Sequence, residues 1–281
     1  MRSTRAVTAT LFLSLVAWSV PLIAQAPTLE PRLSFEVASV KIINQQARSP
    51  MQWQPPGHFT SGVPILSLVS IGYQVPLYRI EKLPDWARTT YFEINARTER
   101  AVAIEERPAY YRGLLADRFN SAVHIEQREM DVYTMTVARS DGRLGPNLRR
   151  SDMNCDAIIA ENRARNLAGE RLAGAPAPGQ RPVCGAVGGA MNMTAGAVEL
   201  TPLLGMLSGA LGRPVLDKTG LVGRFDFDFK AAPPNGPATG PLADLPPVST
   251  ALEDQLGLKL ERGRGLVDVL VIDRLDMPTD N

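Results

Sequence analysis

The sequence predicts an α+β fold of two tandem pseudo-repeats. Each runs helix, strand, helix, strand, strand, with the helices packed on a small, mostly antiparallel sheet. Three observations carry this expectation. Two proline-bounded apolar segments, Val63 to Pro76 and Thr201 to Pro214, match at both prolines without a gap. An alternating strand follows each, Phe92-Glu93-Ile94-Asn95 in one half and Phe225-Asp226-Phe227-Asp228 in the other. Further on, Leu114 to Glu126 lines up without a gap on Ala251 to Gly263. A unit this short buries little surface alone, so the two copies are expected to pack closely or share a core.

The elements follow in order. Residues 1–26 read as a secretory signal peptide. Arg2 and Arg5 precede an apolar run from Ala9 to Val20, which is too short to span a bilayer. Pro21 breaks the run, and Ala24-Gln25-Ala26 has the small-residue pattern of a cleavage site. Pro27 moves the favoured cut to just after Ala24, and an uncleaved anchor is the other reading of the segment. The first repeat spans 33–144. It opens on a strand in which Phe35, Val37 and Ser39 alternate with Glu36, Ala38 and Val40. A loop rich in Gln, Pro and Gly then runs to Gly62.

The two apolar segments are helices by spacing. Ile65, Leu68, Val69 and Gly72 form one face in the first, and Leu203, Leu204, Leu207 and Leu211 in the second. Pro64 and Pro202 suit a first helical position, where the missing N–H has no partner anyway. Thr201 suits an N-cap, and Pro76 and Pro214 stop each helix. A turn with Asp85 or Asp217 leads into each alternating strand. A second helix and a hairpin complete each copy, with final strands Met130 to Ala138 and Val267 to Asp273. Gly263-Arg264-Gly265 reads as a hairpin turn. Between the copies, residues 145–190 form an insertion with a helix from Asp156 to Leu172 and a Pro/Gly loop. The second repeat spans 191–281 and contains an extended, proline-rich loop from Ala231 to Pro247.

Charge and cysteines bound the function. Lys and Arg number 30 against 29 Asp and Glu, so no basic excess supports nucleic-acid binding. No apolar run after the signal segment is long enough to cross a membrane. Cys155 and Cys184 bracket the insertion and are the chain's 2 cysteines. Export would put them in an oxidising compartment, and a bond between them would stabilise by about 3 kcal/mol in the chain-entropy view. Two buried free thiols are the alternative; the spacing does not fit a C-x-x-C redox pair.

Catalytic signatures are missing. The chain has 2 histidines, His58 in a Pro/Gly loop and His124 in a strand after a helix. There is no H-E-x-x-H, G-x-S-x-G, P-loop or G-x-G-x-x-G, so no catalytic residue, metal site or cofactor is assigned. Asp217-Lys218-Thr219-Gly220 spells the D-K-T-G of P-type ion pumps, in which the aspartate is phosphorylated. Leu221 stands where those pumps carry threonine, and the nucleotide domain and membrane helices are absent. Asp217, Gly220, Gly223 and Asp85 are therefore read as turn residues. Trp86, Tyr91, Tyr73 and Tyr78 lie close in sequence. They are either a partner-binding aromatic surface or ordinary core packing.

Several stretches together resemble one family. "FEVASVK", "LLADRF" with "VHIE", "GRPVLDKTGLVGRFDF", and "LEDQLGLKLE" with "VDVLVID" look like the TIGR03435 family, exported proteins abundant in soil Acidobacteria. The resemblance covers nearly the whole mature chain and implies export from a bacterial cell but no activity. In some relatives the domain follows a membrane peptidase, which implies a sensor or interaction role. The chain departs from the family's L-K-L-x-V-H at Asn120-Ser121-Ala122-Val123-His124. A weaker similarity is to the short N-terminal domain of secretins and TonB-dependent receptors, modules that bind partner proteins. The expectation is an exported, periplasmic or extracellular, non-enzymatic domain that binds a protein or envelope component. An exported hydrolase with an unrecognised site and a self-associating envelope-assembly protein are the alternatives.

Overall fold

A computed structural model describes residues 33–170, 176, 180–189, 191–234 and 244–278. The signal-peptide segment 1–26 and the middle of the proline-rich loop lie outside these residues. The chain begins with β1 (Val37–Ile43), β2 (Ser49–Gln54), β3 (His58–Pro64), α1 (Ile65–Tyr73), β4 (Ile80–Glu81), α2 (Asp85–Thr89), β5 (Tyr91–Arg97), α3 (Arg107–Phe119) and β6 (Ala122–Val137). After β7 (Leu148–Arg150) and α4 (Asp156–Ala168) come β8 (Gly185–Gly189), β9 (Asn192–Val198), α5 (Thr201–Leu211), β10 (Val215–Asp217) and β11 (Phe225–Lys230). The last elements are α6 (Val248–Ala251), a π-helical turn at Leu252–Leu256, and β12 (Leu258–Arg274). Among the described residues this is a mixed α+β fold with six α-helices and three mostly antiparallel sheets.

The sheets run β1-β5-β3-β2, β10-β6-β12-β4 and β7-β11-β9-β8. The first and third are antiparallel throughout. In the second, β6 and β12 pair antiparallel from Ala122↔Arg274 to Leu258↔Val137. β4 adds parallel to β12 through Ile80↔Leu270, and β10 adds parallel to β6 through Val215↔Tyr133.

Sequence patterns explain most elements. Phe92, Ile94 and Ala96 are buried in β5, between exposed Glu93, Asn95 and Arg97, and Phe225, Phe227 and Phe229 are buried in β11. Ile65, Leu68, Val69 and Gly72 are the buried face of α1. Pro64 caps that helix rather than joining it, and α5 begins at Thr201 itself, with Leu200 in the cap position. The α1 face meets α3 closely: a Cβ on Gly72 would stand 3.2 Å from Tyr111 Cβ.

Other expectations are corrected. The loop up to Gly62 is the β2–β3 hairpin. Its β2 is an edge strand whose register is irregular between Ser49 and Gln52, a setting in which Pro50 is tolerated. In β1 the inward residues are Ala38 and Val40, while Val37 is 61% exposed. Asp85 opens α2 rather than a turn. The second helix of the first half starts at Arg107, well before Leu114.

The largest correction concerns the two expected hairpins. Each is one unbroken strand, and the two strands pair with each other. Gly263 therefore sits in the middle of a ladder, opposite Val132, and not in a turn. This pairing also shapes the cores. One core, around Phe59, Phe92, Phe119 and Leu115, is completed by Leu270, Ile272 and Leu275 from the end of the chain. The other, around Phe225, Phe227, Phe229 and Leu203, takes in Met135 from β6.

Candidate functional site

The β2–β3 turn, Pro55-Pro56-Gly57, begins a partly enclosed polar cavity. The Pro55–Pro56 bond is cis. Thr98 fixes the turn from β5's end: its N–H donates to Gly57 O at 3.1 Å and its hydroxyl to Arg100 O at 2.6 Å. A side chain on Gly57 would collide with Thr98 Oγ1 and Arg100 O, so only glycine lets these strands close. Arg100 grips Glu106 with both guanidinium nitrogens, at 2.6 and 2.9 Å, and Glu106 Oε2 accepts the Ala103 N–H at 3.1 Å. The Arg100 guanidinium holds the Glu106 carboxyl down at about 2.

That brace sets the start of α3, whose first residue is Arg107. Its guanidinium lies 5.4 Å from the Trp53 ring centroid, within cation–π range. One turn on, Tyr111 accepts a 2.7 Å hydrogen bond from Trp53 Nε1, and burial raises the Tyr111 pKa. Arg107 and Tyr111 thus share a helix face and hold the indole between them. Phe35, Phe59 and Tyr110 back the ring at centroid distances of 5.7, 5.3 and 6.0 Å.

The opposite wall is the end of α4. Arg107 Nη2 reaches Asn166 Oδ1 at 3.4 Å, while Arg107 Nε is buried without a hydrogen-bond partner. Burial pushes the Arg107 pKa down, against the opposing pull of Tyr111 and Glu105. Gly169 ends the helix at φ +73°, and a Cβ there would lie 2.5 Å from Pro55 Cγ. The start of α4 is held by a disulfide between Cys155 and Cys184, whose Cα atoms are 5.8 Å apart. The walls enclose about 200 Å³, lined by Trp53, Pro55, Val102, Arg107, Asn166 and Leu167 among others.

The aromatic residues singled out in the sequence do not form one surface. Trp86 stacks on Phe119 at 6.3 Å and meets Phe92 edge-on at 6.0 Å, on the margin of the first core. Tyr73 packs on the same core, and Tyr91 lines a shallow depression with Arg48, Val63 and Ser67. Tyr78 reaches the other half of the molecule, where burial raises its pKa against a hydrogen bond with Ser208 of α5. Trp53, Tyr110 and Tyr111, not singled out from the sequence, make the cluster that borders the cavity. Their signal was weak, because Trp53 is flanked by Gln52 and Gln54 and the cluster draws on several elements.

Asp217 ends β10. Its Oδ1 accepts from Thr219 N and Thr219 Oγ1, both at 2.8 Å, and Thr219 Oγ1 accepts from Leu221 N at 3.1 Å. Gly220 and Gly223 follow at φ +69° and +104°. His58 begins β3 rather than lying in a loop, and its Nε2 meets Asn95 Oδ1 at 2.7 Å. His124 Nε2 meets Glu126 at 2.9 Å and Nδ1 meets Asp273 at 2.7 Å, contacts that raise its pKa. Neither histidine lines the cavity. Among the described residues there is no group of three or more His, Cys, Asp or Glu side chains that could hold a metal, and no helix is long and apolar enough to cross a membrane.

No curated protein and no solved structure matches this chain. One family does match, over residues 66–275, a span that holds Arg107 and Asn166 and begins after Trp53 and the Pro55–Pro56 turn. On that match, which covers well over half of the 281 residues, the chain belongs to the family described as "Protein of unknown function (DUF3738)".

Proposed function

We propose that the chain is an exported, non-enzymatic binding domain of the TIGR03435 type, which engages a protein or cell-envelope partner through the cavity beside Trp53. The observation that carries this is the pairing of a rigidly held indole with Arg107, a cation that is partly desolvated and lacks a carboxylate contact among the described residues. Such a site is preorganised, and preorganisation lowers the entropy cost of binding. The disulfide fits a chain folded in an oxidising compartment. Among the described residues that line the cavity there is no histidine, and the one acid, Glu170, is exposed.

We read the two halves as copies of one unit. Support comes from the order β2-β3-α1-β4-α2-β5-α3-β6, which β8-β9-α5-β10-β11-α6-β12 follows except for α2, a short helix with no counterpart between β10 and β11. Each half's short parallel strand also pairs with the other half's long strand. On this reading Trp53 and Arg107 belong to the first copy, and α4, outside both copies, closes the cavity.

A photo-crosslinking residue at Gln54, beside the cavity, tests the proposal against one at Arg262, on the long strand. In intact cells position 54 should give a discrete adduct that Trp53→Ala abolishes and position 262 lacks. Identical adduct patterns from the two positions would defeat it.

A further inference from the structure

We infer that the cavity beside Trp53 binds a single carboxylate carried on a small apolar group, such as the C-terminal residue of a peptide. The inference rests on the binding-domain reading above and names the chemistry its site takes.

Charge decides the sign of the ligand. Several arginines elsewhere have carboxylate partners, Arg100 with Glu106, Arg128 with Glu126 and Glu81, Arg139 with Asp141, and Arg149 with Asp226, while others, such as Arg79 and Arg150, donate to backbone carbonyls. Arg107 is more buried than these carboxylate-paired arginines, and among the described residues it makes one long hydrogen bond, to Asn166, no ion pair, and leaves its buried Nε–H unmatched. A partly desolvated guanidinium without a carboxylate is an unfavourable state that a bound carboxylate relieves, and its planar fork suits carboxylate oxygens. The helix dipoles do not change this. The positive end of α3 and the negative end of α4 both meet the cavity and largely offset.

Size and walls decide the rest. About 200 Å³ is below the range of drug-sized ligand pockets and fits one small residue. Pro55, Pro56, Val102 and Leu167 give apolar walls beside Trp53. Glu170 at the rim would meet a second negative charge. This favours a monoanion over a phosphate dianion.

The test titrates the full disulfide-bonded chain with N-acetylalanine, N-acetylalaninamide and inorganic phosphate, following the Trp53 indole N–H resonance, assigned with Trp53→Phe. N-acetylalanine should bind saturably with Kd on the order of 1 mM, a usual strength for so few atoms. Its amide should bind at least tenfold more weakly, and phosphate no more tightly than the acid. Arg107→Lys should weaken acid binding about tenfold and Arg107→Gln should abolish it, with both melting within a few degrees of the parent. Equal binding of acid and amide, tighter binding of phosphate, no binding of the acid, or retained binding in a folded Arg107→Gln would each overturn the inference. If the position-54 adduct persists in any of those cases, the carboxylate chemistry falls while the binding-domain reading stands.

Discussion

Replacing Gly263 with valine should raise the stability of the protein, and the same change at Gly220 should lower it. A Cβ at either position meets nothing within 4 Å, so the two substitutions differ in backbone conformation and not in available space. Gly263 lies in β12 opposite Val132, away from the left-handed region. Glycine inside a strand costs about 0.5–1 kcal/mol relative to alanine. A β-branched side chain facing a cross-strand neighbour adds roughly 0.2–1 kcal/mol. The expected gain is about 1 kcal/mol, or about 2–4 °C in Tm for a chain of this size. Gly220 sits at φ +69°, where a Cβ meets the carbonyl and the penalty is about 1–2 kcal/mol. Calorimetry of both variants with the disulfide intact measures the difference. A drop in Tm for Gly263→Val would refute the continuous strand, because a tight hairpin turn at Gly263-Arg264-Gly265 would demand the left-handed backbone that valine resists.

Asp217→Asn should change Tm by no more than a degree or two, since an amide oxygen can still accept from Thr219 N and Oγ1; a melt matched to Gly220→Val checks this. The His124 imidazolium is favoured first by Glu126 and then by Asp273, so its NMR titration should centre above the ordinary histidine value and fall further in Glu126→Gln than in Asp273→Asn. A histidine whose folded pKa is raised adds stability that is complete below its ordinary value and lost as pH rises through the folded one. The wild-type advantage over Glu126→Gln should therefore shrink as pH rises above about 6.5. Trp86→Ala should lower stability by roughly 2–4 kcal/mol through lost packing on Phe92 and Phe119, without moving the Trp53 indole signal.

Local order was legible where one residue's neighbours decide its conformation. Proline boundaries and apolar spacing located α1 and α5, and the Phe-x-Phe alternation located β11, because each signal acts over a few residues. Strand partnership was not legible. Leu258 to Arg274 contains two glycines near its centre and reads locally as strand, turn, strand. Pairing over its length with β6, more than a hundred residues earlier, is what keeps it extended. The site suffered from the same distance problem. Trp53, Arg107 and Asn166 come from a strand and two helices far apart in the chain, whereas the aromatic residues that cluster in sequence were dispersed to the first core's margin, a shallow surface and the seam with α5. Sequence proximity measures which residues can meet within one element, and this cavity is built between elements.

The tether of α4 connects that construction to a final prediction. The helix has no fully buried residue, so it cannot be held mainly by a core. Its end forms a wall of the cavity, while its start is fixed through buried Cys155. Thirteen residues make a rod about 20 Å long that carries the position of the disulfide to the wall. Removing a cross-link with a sequence separation of 29 costs about 3–4 kcal/mol in the chain-entropy view. Little of this loss should fall on the two cores, because the segment it releases contributes little to them. In Cys155→Ala/Cys184→Ala, hydrogen exchange should therefore speed up across Asp156–Ala168 while α3 and β6 keep their protection. N-acetylalanine binding should weaken in the same variant, even though every other cavity residue is untouched. Unchanged exchange in α4, or an equal loss of protection in α3, would show that the insertion is held by packing and that the disulfide does not position the wall.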